Sequence, residues 1–578
     1  MLERAKIVLL VSLGFGLPWH GALTVFGPDW VRWWKEGALA LLFLLVCFQG
    51  LKNVKFEILN FKWARSFIIQ HSKSPIFYAF LFLLWGGLLL VLSTDLHTSL
   101  VALRYLALGG FVFLLGYSLW KLPLISGKNG YDGATKLFHH LCTSLLLGVL
   151  TSSLFGLWAK FAGGYQVLSG WYSNTISSWV PGQTLPLYHE AAGFIRLQGA
   201  SSGPIEYSHL AVMALWYALC AQPQLVQRQW WRLLLWGASV ALLLLGIVQS
   251  GSRAAALAAL ILLLGALWFR YREKLNLQAW RWSADKLVAG LLVLIVLVVM
   301  VKFTLARSIL GDISLLNKNI VRISDVDHIK RPLEAFEMAL DSPVTGNLGA
   351  LGPAARAKNL QAYNNDQAPI AESVPFDVLA QLGVVGFLLW LLFWGFYWGK
   401  APPSLKLLCL AFAPLMLLAT IFDMTPLSIS FYLVLALGLA LPSLKLASRS
   451  DEPTVLELKR LAFKTYVEKV WGWHEAEQKQ LVKREFDLGG IYLVQQEGET
   501  KGTVSLQSQD YYYEVFSFYL HPQHQGAGLG KVLLNQVFPA QPLHLQVLKV
   551  NSRAHSFYVQ HGFVVTGENQ HHYLMKRL

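Results

Sequence analysis

Charge is what this sequence has least of. Only 14% of its 578 residues are Asp, Glu, Lys or Arg, against roughly 25% in a soluble globule. That scarcity excludes a wholly water-exposed protein, so much of its surface must face lipid. Cysteine is scarce as well. Cys47, Cys142, Cys220 and Cys409 each lie in an apolar run, and no two are close in sequence. Such scattering argues against a disulfide framework and a zinc site, and favours buried packing thiols. Basic residues give a formal net charge of +15, yet they are not gathered into one patch. They fall in short segments between apolar runs, the pattern of cytoplasmic loops, so nucleic acid is not expected as a partner.

Hydrophobicity is what is present. Apolar residues make up 55% of the chain, which holds 22 Trp, and the mean hydropathy is +0.45. The first residues, MLERAKIVLLVSLGFGLPWHGALTVF, read like a signal sequence. Many similar runs follow, so a retained first anchor is expected instead.

A hydrocarbon core of about 30 Å takes roughly 20 helical residues. Runs of that order give about twelve candidate spans. They fall near 6–26, 36–50, 75–94, 98–120, 137–158, 207–222, 231–249, 254–269, 286–303, 376–398, 407–422 and 427–446. Lys52, Lys55, Lys62 and Arg65 fill one connection; Arg270, Arg272, Lys274, Arg281 and Lys286 fill another. The connections at 121–136, 228–232 and 400–406 are also basic. All lie on one side if the N-terminus is inside, and an even number of spans then returns the C-terminus to the cytoplasm. The other side receives two long loops, 161–206 and 304–375, the first nearly free of Lys and Arg. Long loops of this kind are usually functional.

After Leu446 the texture changes. The polar stretch ASRSDEP, residues 447–453, marks a linker, expected at 448–454, and charge becomes frequent from Glu457 on. The expected architecture is a polytopic α-helical membrane domain over 1–447 and an α/β domain over 455–578. In the latter, LELKRLAFKTYVEKVWGW and EAEQKQLVKREF read as helices. IYLVQQ, GTVSLQSQ and YEVFSFYL read as strands.

HPQHQGAGLGKVLL, residues 521–534, follows the last of these strands. A glycine turn between strand and helix brings backbone N–H groups up to a phosphate. The spacing Gln525-x-x-Gly528-x-Gly530 is not the dinucleotide-binding G-x-G-x-x-G. With Asn551, Ala554, Phe557-Tyr558 and Gly562-Phe563, the segment resembles the GNAT family of acetyl-CoA-dependent N-acetyltransferases. The resemblance implies that Gln525, Gly526, Ala527, Gly528, Leu529 and Gly530 hold the pyrophosphate of coenzyme A. It implies that Asn551 supports the pantetheine arm and that Tyr558 protonates the leaving thiolate. Glu514, on the preceding strand, is a candidate base for the amine, or else a solvated strand residue. A domain that senses acetyl-CoA without catalysis is the competing reading.

The membrane region carries its own marks. FIRLQGASSGPIEYSHLAV places Arg196 before a span, and GIVQSGSRAAALAALILLL places Ser252-Arg253 where another begins. The loop 304–375 holds HIKRPLEAFEMALDSPVTGNLGALGPAA, followed by IAESVPFDVLAQLGVVGFLLW. With LPWHGALTVFG and WWKEGALALLFLL, these segments resemble the O-antigen ligase and polymerase family of bacterial envelope glycosyltransferases. That resemblance implies transfer or polymerisation of a polyprenyl-pyrophosphate-linked glycan to a glycan or lipid acceptor. It places the protein in the bacterial inner membrane, among its lipids.

Arginines can hold a pyrophosphate leaving group through planar, multiply donating guanidinium groups without a metal. Arg196, Arg253 and Arg331 are the candidates. Glu372 would take the acceptor's proton; ligases commonly carry His-Asn where this chain has Glu372-Ser373, which is closer to polymerase-like relatives. Asp325-Val326-Asp327-His328 suits a solvated loop better than a divalent metal, so none is assigned. Arg104, inside a span, marks a polar cavity or reaches the outer interface. A transporter with an acetyl-CoA-binding regulatory domain is the alternative. Transporters concentrate ionisable residues at the midplane and show internal repeats, neither of which is clear in this sequence.

Overall fold

The computed structural model describes residues 2–26, 31, 33–53, 72–125, 130–164, 189–191, 194–221, 230–271, 323–358, 370–418, 424–509, 511–537 and 542–577. The chain divides into two compact units. The first takes in Met1–Gly116, His139–Trp398 and Ser404–Ala436; the second takes in Tyr117–Phe138, Gly399–Pro403 and Leu437–Leu578.

The first unit is helical. Its helices begin with α1 (Leu2–Gly16), α2 (His20–Phe26), α3 (Trp34–Asn53), α4 (Pro75–Leu92), α5 (Leu96–Ile125) and α6 (Gly130–Phe161). The short strands β1 (His189–Ala191) and β2 (Phe194–Arg196) follow. Then come α7 (Pro204–Trp216), α8 (Trp230–Gln249), α9 (Arg253–Tyr271), α10 (Ile323–Asp341) and α11 (Gly352–Lys358). The series closes with α12 (Val374–Lys400), α13 (Pro403–Leu418) and α14 (Thr425–Gly438). The ends of α5, α6, α12 and α13 at 117–125, 130–138, 399–400 and 403 belong to the second unit.

Six helical stretches among the described residues are long and apolar enough to cross a membrane: Leu2–Thr24, Pro75–Leu92, Leu96–Lys121, Gly130–Phe161, Trp231–Gln249 and Val374–Lys400. The expected count of twelve is not confirmed among the described residues. Arg253–Trp268, Pro403–Leu417 and Thr425–Gly438 are apolar but shorter, and the expected span 286–303 lies outside the described residues. Leu233, Leu234 and Leu235 of α8 are all exposed, as side chains facing lipid would be. Proline breaks the first helix at Leu17–Trp19, where Pro18 stands in a 3₁₀ turn.

The second unit is built on a seven-stranded sheet. Its strands are β3 (Ser443–Leu446), β4 (Ile491–Gln496), β5 (Glu499–Ser508), β6 (Tyr513–Leu520), β7 (Leu543–Leu548), β8 (Val564–Glu568) and β9 (His572–Arg577). Their order across the sheet is β3-β4-β5-β6-β7-β9-β8. Helices α15 (Glu452–Glu468) and α16 (Glu475–Leu488) precede β4, α17 (Leu529–Val532) follows β6, and α18 (Ser552–Gln560) follows β7. Apolar residues fill both faces. Val455 and Val482 of the first two helices pack with Ile491 and Leu493; Leu529, Leu533 and Tyr558 pack with Val515, Leu545 and Met575.

One expectation is corrected here. Residues 443–446, read as the end of the last span, pair with Tyr492–Gln495 as the edge strand β3. The last helix ends at Gly438. An apolar run such as LPSLKL has no periodicity that tells helix from strand.

Candidate functional site

In the sheet unit, β6 and β7 are the only parallel pair among the described strands, and they pair only over Tyr513–Val515 with Leu543–Leu545. Beyond Val515 they are no longer paired, although β6 runs on to Leu520 and β7 to Leu548. The register with β5 also shifts between Ser505 and Leu506, leaving Phe516 unmatched. Such a bulge reverses which face later side chains address. Val515 therefore joins the core around Tyr558. Tyr519 instead meets Phe463 of α15 at 5.4 Å between ring centres, and Ser517 reaches Glu485 of α16 at 3.5 Å.

The turn after β6 is braced from within. Gln525 donates from Nε2 to the Leu520 carbonyl at 2.9 Å and accepts from Arg553 at 3.2 Å. Gly526 and Gly528 have φ of +80° and +89°, a region nearly closed to other residues. A Cβ at Gly530 would stand 3.0 Å from the Phe557 ring. Bare backbone is thus required where the turn enters α17. His524, just before the turn, is pushed down to about 4 by burial, then by Lys501 and His521, and is neutral near pH 7.

The candidate residues take definite places. The Asn551 carboxamide accepts from the Ala554 N–H at 3.0 Å, so it caps the helix that carries Tyr558. Tyr558 is buried between Phe557 and Phe563, and burial raises its phenol well above the ordinary range. Glu514 lies in the paired segment, opposite Gln507 and His544. A second carboxylate stands deeper. Glu485 faces Ser517 and lies 3.7 Å from buried Lys459. Burial raises its pKa, against the pull of Lys459 and Ser517; the Tyr519 phenol is raised by burial first and then by the Glu485 carboxylate. The sequence alone gave no reason to choose Glu485, because the bulge that turns Ser517 toward it has no local signature.

In the helical unit, three marked segments converge. The Ala22 N–H donates to the Ala200 carbonyl at 2.8 Å, and Ser201 and Ser152 hydroxyls donate to the Pro18 carbonyl at 3.2 and 3.3 Å. Arg196 donates from Nε to the Ser250 carbonyl at 2.6 Å, and the Leu197 N–H to the Gln249 carbonyl at 2.9 Å. Lys160 reaches the Gln249 side chain at 2.6 Å. Ser252 accepts from the Ala255 N–H at 3.3 Å and caps α9, whose first residue is the exposed Arg253. The corner between α8 and α9 therefore gathers Arg196, Lys160 and Arg253.

Arg331 and Glu372 form the other pair, at 2.6 Å. Glu372 takes a left-handed φ of +49°, an uncommon conformation for a residue with a side chain. The glycine-rich segment 343–352 packs at a break in α12. Gly383 has φ +66° and ψ −172°, and the Asn347 N–H donates to the Ala380 carbonyl at 2.8 Å. Arg104 pairs with Glu36 at 2.8 Å, and neighbouring Lys35 lies 3.1 Å from His20. A polar cluster thus joins the LPWHG and WWKEG segments, which the sequence reading had left apart. The side chains of Asp325, Asp327 and His328 lie outside the described residues.

Residues 238–391 match the sequence model of the O-antigen ligase family, and residues 487–565 match that of the GNAT acetyltransferase domain. The chain joins an O-antigen ligase domain to a GNAT domain. The ligase match takes in Arg253, Arg331 and Glu372; the GNAT match takes in the Gln525–Gly530 turn and Tyr558. With its apolar helices, the chain is a multi-pass membrane protein. No curated protein matches it. Solved structures that it resembles include the PaiA N-acetyltransferase of Thermoplasma acidophilum in complex with coenzyme A, at 18% identity and a TM-score of 0.20, over 24% of this chain and 98% of that one. An acetyltransferase from Thermus thermophilus is 16% identical, with a TM-score of 0.20, over 24% and 96%. The ribosomal-protein-S18-alanine N-acetyltransferase of Escherichia coli is 17% identical, with a TM-score of 0.19, over 24% and 93%.

Proposed function

We propose that this is a bifunctional enzyme of bacterial envelope polysaccharide synthesis, seated in the inner membrane. The observation that carries this reading is the two matched domains on one chain, one taking in the Arg331–Glu372 pair and the other the Gln525–Gly530 turn with Tyr558. Of the connections expected inside from their charge, 121–136 wholly and 400–406 in part fall in the same unit as the GNAT domain, which takes in 117–138 and 399–403. That supports a cytoplasmic C-terminus, where acetyl-CoA is found.

The GNAT residues fit acetyl-CoA. Positive-φ glycines leave the turn's backbone open, and β6 and β7 part beside it. Residues Gln525–Gly530 would hold the pyrophosphate through N–H groups, and the group would supply an acetyl thioester. Tyr558, still protonated at neutral pH, would give its proton to the departing thiolate as general acid. For the amine's proton the geometry favours Glu485 over Glu514. It is the carboxylate set beside Tyr519, on the strand segment past the bulge. The acceptor is an amine, with amino sugars of the same glycan as the first class to test.

In the ligase domain, Arg196, Arg253 and Arg331 would bind a polyprenyl-pyrophosphate-linked glycan and stabilise the charge growing on its leaving group. Glu372, paired with Arg331, would take the proton of the acceptor hydroxyl. The deciding experiment is mass spectrometry of polyprenyl-linked glycans from cells lacking the protein. Accumulated single repeat units are expected, and mark a polymerase. Long chains left on the carrier would mark a ligase, and an unchanged pool would refute the glycan reading.

A further inference from the structure

The GNAT turn is touched from far away in the sequence. Tyr131, in the first turn of α6, is 5% exposed and belongs to the core that contains Leu529, Leu533 and Tyr558. Its backbone N–H donates to the carbonyl of Ala527, the middle of the glycine turn, at 3.0 Å. Its hydroxyl lies 3.1 Å from Nδ1 of His524, and the two rings meet edge to face at 6.3 Å. Next to it, Asp132 accepts from Lys531 of α17 at 3.1 Å and from Lys136 at 2.8 Å. The preceding helix contributes as well. Tyr117 donates to Glu497 at 2.8 Å, and Lys121 pairs with the same carboxylate at 2.5 Å.

These contacts have a direction. A turn that presents N–H groups to an anion must point its carbonyls elsewhere, and each carbonyl still needs a donor. The Ala527 carbonyl finds one in Tyr131. Its neighbours Gly526 and Gly528 hold conformations that no side chain of their own stabilises, so the turn's shape depends on what packs behind it. Lys531, one turn into the helix, is held by Asp132 rather than left to sweep through solvent.

We infer that the start of α6 completes the acetyl-CoA site: Tyr131 is a positioning residue for the pyrophosphate turn, and Asp132 fixes Lys531 beside it. The inference rests on the acetyl-CoA reading of that turn. It makes the cofactor site of the GNAT domain dependent on residues that the GNAT match, 487–565, does not include. A site preorganised in this way binds more tightly because less ordering is left for the ligand to impose.

The test uses the full chain in detergent, with coenzyme A as the titrant in calorimetry and ligand-free thermal unfolding as the control. Tyr131→Ala, which keeps the backbone donor but removes the ring packed behind the turn, is expected to weaken coenzyme A about tenfold, and Tyr131→Phe, which loses only the hydroxyl beside His524, to stay within about threefold of the parent. Asp132→Asn, a milder change that leaves the core filled, is expected to weaken it about threefold. If Tyr131→Ala and Asp132→Asn lower the unfolding temperature but leave the affinity unchanged, the residues are merely structural and the inference is overturned. If Tyr131→Ala does not fold, Asp132→Asn decides alone. A parent chain that binds no coenzyme A overturns the acetyl-CoA reading and this inference together.

Discussion

Glu485 and Glu514 differ by what surrounds them, and that difference is measurable. Glu485 is half-buried beside Lys459 of α15 and Ser517 of β6, and burial is the largest influence on it. A base whose pKa is raised stays protonated to higher pH, so acetyl transfer should fall away on the acid side above the ordinary carboxylate range. Glu485→Gln is expected to cost about a hundredfold in kcat and abolish that limb, while Glu514→Gln changes kcat less than about threefold. A rate profile of the three proteins checks this. Tyr558→Phe should lower kcat by a similar factor and leave coenzyme A affinity unchanged. The pKa of His524 is shifted the other way, yet its effect also appears on the acid side. Its folded pKa is lowered to about 4 by burial, Lys501 and His521, so its contribution is complete above about 6.5 and lost as pH falls toward 4. Unfolding of the C-terminal unit, followed between pH 7 and 4, should show that loss, and His524→Gln should flatten it.

At the scale of elements, the glycines are the most exposed to test. Gly383 breaks α12 at φ +66°, and a Cβ there would fall 2.2 Å from the Val344 carbonyl oxygen. Gly383→Ala should therefore strain the backbone and drive apart the segment 343–352, lowering glycan transfer and the unfolding temperature of the helical unit; Gly395→Ala, with open space at its Cβ, is the control. Much of this level was legible in the sequence. The strands IYLVQQ, GTVSLQSQ and YEVFSFYL appear close to where their composition placed them, because β-branched and aromatic residues with turn signals constrain locally. What escaped was non-local. The bulge at Phe516 depends on how β5 and β6 register, and β3 depends on an edge to pair with. Tyr131 reads as one more aromatic at a helix start until its partner, 393 residues later, is brought to it.

At the scale of the molecule, the two units have separate cores and the proposed chemistries use separate residues. Tyr558→Phe should leave glycan length unaltered, and Glu372→Gln should leave acetyl transfer unaltered; gel profiles of the polysaccharide and a coenzyme A release assay, run on both variants, test the separation. Within the helical unit, Arg331 and Glu372 act as a pair. Arg331→Ala and Glu372→Gln should each cost about a hundredfold in glycan transfer, and the double variant little more, since residues working together are not additive.

The place of Tyr131 also sets a timetable for biogenesis. The chain emerges N-terminus first, at about 5–20 residues per second, so the turn that covers Tyr131 arrives about 20–80 s after it. Through that interval the start of α6 stands without the turn it braces. A nascent chain can therefore insert its helices early and still lack its acetyl-CoA site, which closes only when the segment from Gln525 through Phe563 has left the ribosome.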